Sequence, residues 1–211
     1  MTPPPTRVLL APQRWERWVE NFRARHGATA LSVADGALGG LAEDGSTFLA
    51  RLPFAASYDG PADAAAFAAA ASVPQDWGVL LVRKGGFAVA RLAGERTVAS
   101  KVGQRHVQGR TKAGGQSQQR FARRRDNQAR QAYEAAAEHA VRILGDLTGP
   151  VVTGGDHTAV EEVLADPRLR GLAPSDLWLA VPDPRRAVLE EAVRDAGKLA
   201  VEVHNAEPGE D

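Results

Sequence analysis

Gly114, Gly115 and Gln116 stand directly ahead of Ser117 and a run that carries Arg120, Arg123, Arg124 and Arg125 around one aromatic, Phe121. Two residues without side chains, an amide and a block of cations are an unusual set for chemistry. Nowhere does the spacing assemble a carboxylate–histidine pair or a Ser/His/Asp set that could activate a nucleophile. A Gly-Gly followed by a polar residue is also a common loop-to-helix junction, with Ser117 as the cap. The arginines decide between the two readings. Unpaired N–H groups give a helix start a partial positive charge, so a sequence tuned only for stability would place acids there. This one places arginines, whose field adds to that of the helix and makes the loop end an anion site. Arg110 and Lys112 extend the charge back into the preceding loop. RNA phosphate is the natural partner.

The formal charge of the 211-residue chain is zero, with 26 basic and 26 acidic side chains, but it is unevenly spread. Residues 101–130 hold nine Lys or Arg against one acid, Asp126, which leaves 17 basic and 25 acidic side chains elsewhere. One segment therefore attracts a polyanion while the rest repels it. At 44% apolar and 25% charged residues there is material for a real core. The absence of cysteine excludes disulfides, thiolate metal sites and cysteine nucleophiles. Histidines 26, 106, 139, 157 and 204 show no metal-ligand spacing, so neither a metal nor a cofactor is expected. The N-terminal apolar run is too short for a signal peptide, and no stretch of eighteen apolar residues occurs. A cytoplasmic, soluble monomer with no membrane contact is the expectation.

The elements that must position the motif can be read in outline. Residues 12–25 predict a helix with Trp15, Trp18, Val19 and Phe22 on one face. TALSVAD and STFLARLPF read as strands separated by the turn-rich GALGGLAEDG, and PADAAAFAAAAS as a short helix or linker. Residues 1–72 thus predict a helix-plus-hairpin segment. From Trp77, the runs WGVLLVR, FAVARLA and RTVASKV predict a three-strand antiparallel meander. A long helix follows from Ser117 to about Leu147, polar in its first half and carrying Ala129, Ala132, Tyr133, Ala136, Ala140, Ile143 and Leu144 on one stripe. VVTGG, LWLAV and KLAVEVH then alternate as strands with two helices, the first with Thr158 and Glu161 spaced as a capping box. This order predicts an α/β sandwich of the ribonuclease-H-like kind over residues 73–206, with 207–211 a disordered acidic tail. His106 and the VVTGGDHT turn are read as structural, and Trp15 and Trp18 as core. Phe121 could stack on a base or anchor the helix start. Residues 104–117 are expected to be mobile in isolation.

The stretch GGQSQQRFARRR resembles the catalytic-domain signature GGQS-x-x-RFAR-x-R of eukaryotic and archaeal class 1 peptide release factors. It matches at Gly114, Gly115, Gln116, Ser117, Arg120, Phe121, Ala122, Arg123 and Arg125. A strand meander before the loop and a long helix after it also resemble that domain, over about residues 73–206. Within the superfamily the chain looks most like the bacterial, actinobacterial-type branch of the Vms-like release factors. Nothing in residues 1–72 resembles a domain that reads stop codons, and no C-terminal domain remains for a partner GTPase. The resemblance therefore implies codon-independent hydrolysis of peptidyl-tRNA, in rescue or quality control, at the peptidyl-transferase centre of the large ribosomal subunit.

Under that resemblance, Gly114, Gly115 and Gln116 are the candidate catalytic residues. Arg110, Lys112, Ser117, Arg120, Phe121, Arg123, Arg124 and Arg125 are the candidate RNA contacts. Peptidyl-tRNA is an already activated ester, so a positioned water and donors for the developing oxyanion suffice. The two glycines let the main chain approach the ribose and carbonyl closely. The Gln116 N–H is then the candidate oxyanion donor, and its side-chain amide bounds the water pocket. Two other functions stay open on sequence: a non-catalytic ribosome- or tRNA-binding module, and a nuclease that cuts the tRNA CCA end.

Overall fold

The computed structural model describes residues 5–104 and 116–206, and of residues 116–129 the backbone alone. The chain forms two units: residues 1–73 together with 195–211, and residues 74–194.

The first unit is built on a five-stranded antiparallel sheet in the order β1-β10-β4-β3-β2. Its strands are β1 (Thr6–Leu10), β2 (Thr29–Ala34), β3 (Ala37–Ala42), β4 (Thr47–Arg51) and β10 (Leu199–His204). Helix α1 (Trp15–His26) buries Trp15, Val19 and Phe22, which recur at helical spacing and pack with Leu38, Phe48, Ala50, Leu199 and Val201. Phe48 stands edge-on to Trp15, Trp18 and Phe22, with ring centroids 5.1 to 5.6 Å apart. The short helix α2 (Ala64–Ala70) is capped by Asp63, whose carboxylate accepts the Ala66 N–H at 2.8 Å.

Two expectations change here. The glycine-rich run 37–42 is a strand and not a turn, and the reversal is confined to Asp35 and Gly36, both at positive φ. Glycine serves packing instead: a Cβ on Gly40 would collide with the Phe48 ring. The second change concerns KLAVEVH. Its strand β10 does not extend the second sheet but lies between β1 and β4 in the first, with Val201 opposite both Val8 and Ala50. Strand β1, absent from the sequence reading, pairs only with β10.

The second unit holds β5 (Trp77–Arg83), β6 (Gly86–Ala93), β7 (Arg96–Gln104), α3 (Gln116–Leu144), β8 (Pro150–Gly155), α4 (His157–Leu164) and β9 (Ala173–Leu179), and α5 (Arg186–Ala196) follows. Strands β5 to β7 form the expected meander; β8 pairs parallel with β5, and β9 parallel with β8, giving the order β7-β6-β5-β8-β9. One core joins Leu80, Val82, Phe87 and Val89 of the sheet to Tyr133, Ala136, Ala140 and Leu144 of α3 and to Val160 and Val163 of α4. The expected capping box is not formed: Asp156 occupies the cap position of α4, so Thr158 lies inside the helix. Gly155, at φ 106°, turns the chain out of β8, and the Asp156 N–H donates to Val82 O at 2.8 Å. That bond starts the helix before the Thr158–Glu161 pair can act.

Because Phe48 is hemmed in by three rings, it has no room to yield at Gly40. Gly40→Ala is expected to destabilise the protein by about 1–3 kcal/mol, read as a lower urea midpoint with an unchanged slope.

Candidate functional site

Helix α3 begins within the motif, at Gln116. Helix α3 runs 29 residues from Gln116, so Gln116, Ser117, Arg120, Phe121, Arg123, Arg124 and Arg125 all lie in its first three turns. Ser117 falls inside the first turn and not at the cap. Arg110, Lys112, Gly114, Gly115 and His106 lie outside the described residues, as does most of the 104–117 segment expected to be mobile. The structure therefore brings together the element that carries the motif and the base that holds it.

That base begins at Ala132, the first buried side chain described along the helix. At 1.5 Å per residue, Gln116 is about 24 Å from it along the axis. From Ala132 onward, small residues let the helix settle closely on the sheet: Ala136 and Ala140 are fully buried, and Leu144 closes the stripe. Gly78 on β5 helps, since a Cβ there would come within 2.7 Å of a Leu144 methyl group and 3.1 Å of a Leu147 methyl group. Just past the helix, Arg91 of β6 reaches Asp76 at 2.9 Å and Asp146 at 2.6 Å. Asp76 also accepts from the Thr148 N–H and hydroxyl, at 3.2 and 3.1 Å. The Arg91 guanidinium, foremost, holds the Asp76 carboxyl below its usual range, and Asp76 in turn raises that of Arg91.

A second clamp holds the side of the helix. Arg168, in the 3-10 turn Pro167–Leu169, donates to Glu138 of α3 at 2.7 Å and to both oxygens of Asp166. Hydrogen bonding from Arg168 holds the Asp166 carboxyl at about 2 and lowers that of Glu138. This clamp borders an open groove of about 800 Å³ beside α3, lined among others by Tyr133, Glu134, Glu138, Glu162, Asp166 and Arg168. Burial raises the Tyr133 hydroxyl. Burial also lowers His139, which stacks on Phe87 with centroids 5.4 Å apart. At the VVTGGDHT turn, His157 stacks on Trp178 at 3.6 Å, a packing contact. Sequence reasoning missed Arg91, Asp76, Glu138 and Arg168, because these partners lie 15 to 72 residues apart and no local pattern links them.

Among the described residues, no cluster of His, Asp or Glu side chains could hold a metal ion. Nor is any described helix long and apolar enough to cross a membrane. What the element offers chemically is a helix whose residues 116–130 carry five arginines and one acid, Asp126, fixed toward its far end by packing and two arginine clamps. The family model described as Actinobacteria/chloroflexi VLRF1 release factor matches residues 75–204. A comparison with curated proteins found none similar to the chain.

The Asp166 carboxyl sits below its unfolded value of 3.8, so the Arg168 clamp is fully present above about pH 4 and is lost as pH falls through about 2. Arg168→Ala is expected to return the Asp166 titration toward 3.8 in carboxyl NMR. Its stability deficit against the parent protein, measured in urea at pH 6, should close on acidification to pH 2.

Proposed function

The chain belongs to the Actinobacteria/chloroflexi VLRF1 release-factor family, and from that premise we propose that it is a codon-independent peptidyl-tRNA hydrolase. A release-factor family places its work in translation and makes the ribosome its partner. The finer reading is that it frees nascent peptides from tRNA on stalled or split ribosomes, acting as a monomer in the cytoplasm at the peptidyl-transferase centre of the large subunit.

The observation that carries this reading is continuity. In the sequence, Gly114 and Gly115 stand directly before a 29-residue helix that starts at Gln116 and whose opening turns hold Arg120, Phe121, Arg123, Arg124 and Arg125. The second sheet supports it as well. A three-strand antiparallel meander followed by two parallel strands, with the long helix on one face, is a mixed α/β arrangement compatible with a release-factor domain.

The reaction needs little from side-chain acids or bases. A water oxygen attacks the ester carbonyl carbon, the bond to the tRNA ribose oxygen breaks, and the proton passes to that leaving oxygen. Gly114 and Gly115 leave the backbone bare enough to approach the carbonyl, and the Gln116 N–H donates to the oxyanion. The Gln116 amide bounds the water, and the terminal ribose hydroxyl of the tRNA completes the proton path. Arg110, Lys112, Ser117 and the helix arginines hold RNA phosphates, so their removal costs binding before it costs chemistry.

Helix α3 starts at Gln116, and proline is tolerated in the first turn of a helix. Gln116→Pro therefore deletes one N–H with little cost to folding. In single-turnover release from defined ribosome–nascent-chain complexes, it is expected to lose about 10²–10³-fold in rate. Gln116→Ala, which keeps the N–H, should lose less, and Gly115→Ala should be nearly inactive. A Gln116→Pro protein as fast as the parent would sink the backbone-donor mechanism. The products test the activity itself. Free peptide with intact tRNA is the expected outcome, a shortened tRNA would make the protein a nuclease, and unchanged peptidyl-tRNA despite salt-sensitive binding would leave a binding module.

A further inference from the structure

The first unit carries a groove of its own, of about 340 Å³, on the face where α1 crosses the β1–β10 pair. Thr6, Val8 and Val203 form its floor; Thr6 pairs with Val203, and the three share one face of the pleat. Its wall is a row of rings along α1. Trp18 stacks on Phe22 with centroids 5.6 Å apart, and Phe22 lies 4.6 Å from His26. Trp18 is only half-buried. His26 Nδ1 lies 2.8 Å from Asp44 Oδ2. In the neutral ring that contact fixes the proton on Nδ1 and leaves Nε2 as an acceptor. The exposed amides of Asn21 and Asn205 and the guanidinium of Arg25 complete the rim, none with a partner among the described residues.

The charge of this rim runs against its surroundings. Residues 1–73 and 195–211 hold seven basic and twelve acidic side chains, yet no carboxylate lines the groove. Arg17, Asn21 and Arg25 recur every four residues, one exposed row beside the opening. A groove of this volume is the size of a small-molecule site and too small to seat a partner helix, itself about 10–12 Å across. Flat apolar rings, free amide donors and acceptors, and an unpaired arginine row together suit a planar, hydrogen-bonding group with a phosphate attached.

We propose that this groove takes one unstacked nucleotide of single-stranded RNA, with its base against Trp18 and Phe22, its edge on Asn21 and Asn205, and its phosphates on Arg17 and Arg25. The first unit then supplies a second RNA contact, separate from the arginine helix and independent of which bond the Gly-Gly-Gln loop breaks.

The test uses the full chain carrying Arg123→Ala, Arg124→Ala and Arg125→Ala, so that binding at the helix is silenced. The probe is a five-nucleotide RNA with a central 2-aminopurine. Quenching of the probe by this parent is expected, with at least tenfold weaker binding in Arg25→Glu and a several-fold loss in Asn21→Ala. Both residues are exposed and unpaired, so folding is not at stake. Trp18→Phe, which keeps a ring in place, should retain binding with altered quenching. Unchanged affinity in Arg25→Glu would overturn the proposal, as would equal affinity for an oligonucleotide abasic at the central position, which would reduce the site to a phosphate contact. No saturable binding by the parent would overturn it too. Peptide release by Gly115→Ala is scored separately: loss of release with intact probe binding leaves the groove standing, and the converse leaves the hydrolase standing.

Discussion

The second unit depends on how closely α3 can approach its sheet. Ala132, Ala136 and Ala140 present almost no side chain to the strands, and Gly78 presents none. The helix axis can therefore lie low enough for Leu144 and Leu147 to fill the space at its end. Each fully buried leucine contributes about 1.5–3 kcal/mol, but their larger role is geometric. A helix held along four turns is a stiff rod, and a rod fixed at one end sets the direction of the other. The position of Gln116 is thus decided by alanines sixteen or more residues away. Larger side chains on that stripe would lift the whole element off β5 and β6.

Charge is divided along the same rod. In the anchored half, acids and bases are matched: Glu138 and Asp166 share Arg168, while Arg91 joins Asp76 to Asp146 beyond the helix end. In the opening turns the sequence supplies arginines and a single acid, Asp126. Internal pairing fixes the first half to the protein, and the lack of local acids leaves the second with charge to spend on another molecule. Like charges one turn apart, Arg120 with Arg123 and with Arg124, cost helix stability in isolation. That cost is tolerable because the packed half nucleates the helix.

Legibility followed sequence distance. The meander β5 to β7, the long helix and the apolar face of α1 were readable because each is written in a local period of two or nearly four. The candidate site is a reading of sequence alone, resting on the contiguous run from Gly114 to Arg125 with Arg110 and Lys112 ahead of it. Other features escaped, three of them for distinct physical reasons. Strand β3 was hidden because its glycines look like a turn until the Phe48 ring is placed over Gly40. The cap of α4 was misread because a tertiary bond from Asp156 to Val82 overrode a local signature. Strand β10 was assigned to the wrong sheet because alternation says that a segment is a strand but not which strands it will join.

That last strand has a bearing on how the protein is made. Strand β10 is synthesised after all the strands of the second unit, yet it sits second in the sheet of the first unit, between β1 and β4. Until it emerges, β1 lacks its described partner and β4 shows an open edge, although the strands of the second unit are already made. The sheet of the first unit thus begins before the second unit and closes after it, while the segment that carries the motif can fold in the interval. A chain interrupted before Leu199 would keep its Gly-Gly-Gln helix but expose two raw strand edges, the form in which misassembly and aggregation begin.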